Sequence, residues 1–221
     1  VSILPLAANI ITPSGVYMEV FMQLRIKSQL PYVEKGGILD DCGPCSTAAA
    51  VSWVYGYTKD FTGLEGIKAK EKATGYIDKQ GVSDNGSNLS QLAKAAKVLG
   101  GEGRYAKNWD DVLSAGKKGA AIIINVQAPK GYPVQALSSW NKKWADYWGK
   151  KDAKVVKEGY GHMVCAAWHK DLGWQFADPT FSGKGKEEFA ALISEADLRA
   201  IASGKGDKAG PHVRCLIVTK K

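Results

Sequence analysis

The sequence predicts an α+β domain, with helices gathered in its first half and an antiparallel sheet in its last third. Three observations carry that prediction. Between residues 45 and 114, apolar side chains recur at helical spacing. Residues 120–126, Ala-Ala-Ile-Ile-Ile-Asn-Val, are short, apolar and β-branched, which fits a buried strand. Residues 162–168 and 174–177 are two further apolar runs around a turn at 170–173, the pattern of a hairpin.

Taken in order, residues 1–15 are apolar but aperiodic, with Pro5, Pro13 and Gly15, and read as an irregular lead-in. Residues 16–24 alternate enough for a strand. Residues 1–28 are thus expected to form an arm, ahead of one domain over 29–221. Pro31 disfavours helix just before it, so 29–33 read as extended, and Gly36-Gly37 breaks the chain. Residues 45–57 read as a buried helix in which small residues precede large ones. Pro44 falls in its first turn, where a missing N–H costs nothing. Residues 62–74 predict a second helix and 87–99 a third, with Leu89, Leu92, Ala93, Ala96 and Leu99 on one face and Gly100-Gly101 ending it. Residues 104–106 read as a short strand, and Asn108 as the cap of a helix from Trp109 to about Ser114. Trp140, Trp144, Tyr147 and Trp148 have helical spacing and suggest an amphipathic helix packed on the domain. A short helix over 194–201, capped by Ser194, and a final strand over 213–219 complete the chain.

Bulk composition limits the function classes. The chain has 221 residues, 45% hydrophobic and 24% charged, enough for one well-cored domain. No run of about 18 apolar residues appears, so no membrane-spanning helix is expected. The opening octapeptide lacks the basic start of a signal peptide. The net charge of +8 favours anionic partners, but its lysines are spread over 68–72, 117–118, 142–157 and 220–221. A solvated basic face is the default reading of such a spread. With no basic-region helix, zinc-finger spacing or RNA-binding signature, a nucleic-acid partner is not expected. Cys42, Cys45, Cys165 and Cys215 are too few for a disulfide scaffold and read as individual thiols or special pairs.

Three motifs carry chemistry. Asp41-Cys42-Gly43-Pro44-Cys45 opens a buried helix. A thiol is nucleophilic only as thiolate, and a helix N-terminus favours the anion through its partial positive charge and free N–H groups. Those N–H groups also suit an oxyanion formed beside the sulfur, and Gly43 would let a substrate approach the backbone. Gly161-His162 enters an apolar strand, and Asp178-Pro179 closes the next one, 178 − 162 = 16 residues on. A hairpin of that length sets a carboxylate beside an imidazole, where it fixes the tautomer and stabilises the imidazolium. Alone, each motif has a plain structural reading: a packed thiol, a satisfied histidine, a turn. Their order along the chain is the specific signal.

In that order the motifs resemble the papain-like cysteine peptidase superfamily, and within it the bacteriocin-processing (double-glycine) peptidases and their relatives. The shared pattern is Asp-Cys-Gly-Pro, then Gly-His, then Asp-Pro, here Asp41–Pro44, Gly161-His162 and Asp178-Pro179. Segments 89–99, 109–126 and 193–198 are also similar, so the resemblance spans about 29–219. It implies a papain-like α+β fold, a helical half packed on an antiparallel sheet, with Cys42, His162 and Asp178 catalytic and neither metal nor cofactor. The family's oxyanion glutamine stands about six residues before the cysteine, where this chain has Gly36. Gln29 lies 42 − 29 = 13 residues before, and an insertion at 36–39 would carry it into place; Gln23 is a poorer candidate.

Rival readings remain open at this point. Cys42-Gly-Pro-Cys45 has the form of a thioredoxin redox motif, though the apolar strand that should precede it is missing and His162 and Asp178 would go unexplained. Cys45 is the alternative nucleophile, or a redox partner whose disulfide with Cys42 would switch a hydrolase off. Zinc held by Cys42, Cys45, His162 and Cys165 is disfavoured, since His162 and Cys165, three apart on a strand, face opposite sides. Cys215 on the last strand is a possible neighbour of Cys165. A papain-like module retained for binding or virion structure is the non-enzymatic alternative. The preferred expectation is a monomeric cysteine hydrolase acting on a peptide or peptidoglycan substrate. A phage lysin or tail-associated enzyme, in the virion or host cytoplasm and acting at the cell wall, fits that expectation. A protein-processing protease is the alternative.

Overall fold

The structure, a computed structural model, describes residues 8–11, 17–20, 22–29, 41–75, 87–128, 160–179, 190–203 and 213–221. In chain order the elements are β1 (Ala8–Ile11), β2 (Tyr17–Val20), α1 (Cys42–Val54), α2 (Gly63–Thr74), α3 (Leu89–Val98), β3 (Gly101–Tyr105), α4 (Trp109–Lys117), β4 (Ala121–Ala128), β5 (Tyr160–His169), β6 (Gly173–Ala177), β7 (Ala191–Ile193), α5 (Glu195–Ser203) and β8 (Cys215–Lys220). The expected helix around the tryptophans at 140–148 lies outside the described residues.

The fold is α+β. Six strands form one sheet in the order β3-β8-β4-β5-β6-β7, and every pair in it is antiparallel. β4 is central, pairing with β8 on one side and β5 on the other. That position explains its composition. A strand covered on both faces cannot alternate polar and apolar residues. Ala121 and Ile123 face a cluster with Ala49, Ala50, Val51 and Leu92 from α1 and α3. Ile122, Ile124 and Val126 face a second cluster with Trp109 and Val112 from α4 and Leu198 from α5. The sheet is therefore sandwiched between helices, with α1 pressed on one face.

Local chemistry sets the helix ends. Thr62 and Asn88 each form a full capping box, with Glu65 and Gln91 returning the bond. Asn108 caps α4 by accepting from the Asp111 N–H. Gly100, at φ +92°, turns the chain directly from α3 into β3, a left-handed conformation that glycine adopts without strain.

Several expectations need correction. The helix read over 45–57 begins at Cys42 and ends at Val54, with Pro44 in its first turn as expected. The lead-in 1–15 contains β1, and within the strand expected over 16–24 the described residues form β2, paired antiparallel with β1 in register Ala8 to Val20. Strand pairing needs no strong alternation, which is why the first strand was invisible. The strands expected over 104–106 and 120–126 are β3 and β4, which join the strands of the last third in one sheet. Cys165 and Cys215 are not neighbours. They pair opposite Ile123 and Ile124, adjacent residues of β4, and so lie in the two different clusters on opposite sheet faces.

Candidate active site

The first turn of α1 meets the sheet where β5 begins and β6 ends. α1 is held there by polar as well as apolar contacts. The Ser46 hydroxyl donates to the Met163 carbonyl on β5 at 3.1 Å. Gly66 of α2 allows a very close approach from the other side: a Cβ there would lie 2.2 Å from the Pro44 carbonyl oxygen. The glycine interrupts a helix interior, where it costs about 1 kcal/mol relative to alanine, and its packing against Pro44 accounts for it.

Cys42 is the first residue of α1. Asp41, the N-cap, makes no side-chain capping bond. The Cys45 N–H is used by the Asp41 carbonyl at 3.0 Å, and Pro44 has none. The outward-pointing amides of this turn are therefore those of Cys42 and Gly43. Packing also calls for glycine at 43, because a Cβ there would lie 3.0 Å from both Leu92 and Ser87.

His162 on β5 and Asp178 just past β6 are brought together as the hairpin spacing predicts. The imidazole Nε2 and the carboxylate Oδ1 are 2.8 Å apart. Both groups are buried, Asp178 completely and His162 to 3% exposure. The Cys42 side chain stands close enough to the same imidazole to help raise its pKa. With Nε2 committed to Asp178, Nδ1 is the nitrogen left for the sulfur. Burial pushes the His162 pKa down, but the charge and hydrogen bond of Asp178, aided by Cys42, outweigh it and raise the pKa to about 10. An imidazole of that basicity is a strong acceptor for a thiol proton.

Gln29 also reaches this corner. Its side chain is 2% exposed, and its backbone N–H donates to the Pro179 carbonyl at 2.9 Å, one residue beyond Asp178. The preceding residue, Ser28, accepts from the Cys45 thiol at 3.6 Å. Residues 22–29 form a strap that is fastened along its length. The Leu24 N–H donates to Gln175 Oε1 at 2.8 Å, the Arg25 N–H to the Tyr57 hydroxyl at 2.8 Å, and Asp60 pairs with both Arg25 and Lys27. Leu24, assigned by sequence to the arm, is a core residue. The strap's anchors Gln175, Tyr57 and Asp60 carried no recognisable motif. Only the left-handed Gly56-Tyr57 corner hints at a specialised turn.

Cys45 is placed differently from Cys42. It is fully buried and turned to the Ser28 carbonyl, and burial raises its pKa well above the ordinary thiol value, with the charges of Asp41 and Cys42 adding to the effect. All four cysteines are free thiols. Burial alone likewise pushes Cys165 above the thiol range and Cys215 up to about 12, as befits inert packing groups. Among the described residues no group of three metal-ligating side chains converges.

No protein-family model and no curated protein matches the chain. Among solved structures, a crystal structure of a candidate C39-like peptidase from Bacillus anthracis is similar, with 13% identity, 90% of this chain and 95% of that chain covered, and a TM-score of 0.46. At that level of likeness neither its activity nor its site is carried over to this chain.

Proposed function

We propose that the protein is a papain-like cysteine hydrolase that cleaves amide bonds. Cys42 is the nucleophile, His162 the general base and acid, and Asp178 the group that orients the imidazole. The observation that carries this reading is a single imidazole shared between a carboxylate and a helix-terminal thiol. His162 takes the Cys42 proton. The thiolate attacks a substrate carbonyl, and the oxyanion that forms is met by the first-turn amides of α1 and by Gln29. The imidazolium, stabilised by Asp178, then protonates the leaving amine. Water, deprotonated by the same imidazole, releases the acyl group and restores the thiol.

Cys45 fits the nucleophile's role less well, because its buried thiol is held by the Ser28 carbonyl. Thioredoxin-type catalysis is disfavoured on the same ground, and it leaves the His162–Asp178 pair without a purpose.

For the substrate we favour peptide bonds of the bacterial cell wall. Support comes from the net charge of +8, which suits an anionic wall. A protein substrate is the alternative. Purified peptidoglycan incubated with wild type and with Cys42→Ala, followed by mass spectrometry for new amino termini, separates them. New termini from the wild type alone are expected. Intact wall material beside cleavage of a protein substrate would move the assignment to a protein-processing protease.

A further inference from the structure

The hydrolase reading uses Cys42 and leaves the second thiol of the same helical turn unexplained. Cys42 and Cys45 are the first and fourth residues of α1. Residues three apart in an α-helix have Cα atoms about 5 Å apart, inside the roughly 4.4–6.8 Å window of a disulfide. Both are free thiols. Cys42 stands close to the base and is the more exposed of the two, at 8% against 0%. Cys45 holds the Ser28 carbonyl, next to Gln29.

We propose that this turn is a redox site at which Cys45 resolves oxidation of Cys42, giving an intrahelical disulfide that reversibly closes the active site. The proposal rests on Cys42 being the activated thiol of the hydrolase. The co-reactant is a low-molecular-weight disulfide, RSSR. The Cys42 thiolate attacks one of its sulfurs, forming Cys42–S–S–R and expelling RS⁻, which takes up the proton that His162 removed from Cys42. Cys45 then gives up its proton, and its sulfur attacks that of Cys42. The bond to R breaks, and the second RS⁻ leaves to take up that proton. Two protein thiols are oxidised and one RSSR is reduced to two RSH.

Closure has two consequences. The nucleophile is masked, and the Cys45 sulfur turns away from the Ser28 carbonyl, loosening the strap that presents Gln29. Burial of Cys45 keeps it a thiol until the mixed disulfide forms beside it, which makes Cys42 the first to react. The bond thereby protects Cys42 from irreversible over-oxidation.

The test treats wild type and Cys45→Ser with oxidised glutathione, alkylates the remaining thiols after denaturation, and maps the peptide spanning residues 36–59 by mass. In wild type the expected product is a Cys42–Cys45 link without retained glutathione, reversed by dithiothreitol. In Cys45→Ser glutathione is expected to stay on Cys42. A wild type that keeps glutathione on Cys42, or takes up no oxidant while Cys45 remains alkylatable, overturns the proposal. Because the bond is read by mass, failure of the hydrolase reading is seen separately, as a disulfide that forms in a protein without amidase activity. A disulfide that forms and leaves hydrolysis unchanged refutes the switch.

Discussion

At the scale of single residues, the site is organised by one buried ion pair. A carboxylate without exposure to water needs a charged or hydrogen-bonding partner, and His162 is that partner for Asp178. The histidine pKa is raised in the fold, from about 6.5 to about 10. A raised histidine pKa stabilises the folded state fully below the unfolded pKa, and the contribution disappears as pH rises through the folded one. Wild type is therefore expected to lose stability between about pH 6.5 and 10 relative to Asp178→Asn, measured by urea unfolding at several pH values. Parallel stability curves for the two proteins would mean that the pair carries no such linkage. Activity follows the same logic, and its basic limb should move to lower pH in Asp178→Asn.

At the scale of elements, what matters is how α1 is driven against β5. The motifs on α1, β5 and β6 were legible because chemistry concentrates unusual residues at fixed spacing. The devices that fix α1 were not, because they are pairwise fits between distant segments. Gly66 is the clearest case. In sequence it is an unremarked glycine inside a helix, and in the fold it is the contact that lets α2 lie against Pro44. Gly66→Ala is expected to destabilise the protein by about 1–3 kcal/mol, the usual cost of overpacking, although alanine is the better helix former. Since the clash falls on the turn that carries Cys42, hydrolysis should fall along with stability. A variant as stable as wild type in chemical denaturation would show that the close approach is not required. Gln29 belongs to this scale as well. Its separation from Cys42 does not follow the family spacing, so only the strap's bonds to Pro179 and Cys45 reveal where it lies.

At the scale of the whole molecule, the sheet divides two apolar cores, and β4 lies at its centre. Its odd and even residues supply one cluster each, as do alternate residues of β5 and β8 on either side. The α+β class and the buried nature of this strand were legible in its unbroken apolar run. The sheet order was not, because nothing local says that β8 returns to lie between β3 and β4. Ile123 is fully buried in the cluster beneath α1 and stands opposite Cys165. Ile123→Ala is expected to cost about 2–5 kcal/mol in equilibrium unfolding. A loss well under 1 kcal/mol would indicate that this face of the sheet is not the packed core described above.

The central claim is that the chain builds an activated thiol at Cys42 through His162. The rate at which each cysteine is alkylated by iodoacetamide at pH 6, resolved by peptide mapping, tests it most directly. A free thiol is almost wholly protonated there, so Cys42 should react at least about tenfold faster than free cysteine. His162→Ala should abolish the difference, and Cys45 should stay unlabelled. Labelling of Cys42 no faster than free cysteine, or preferential labelling of Cys45, would contradict the account.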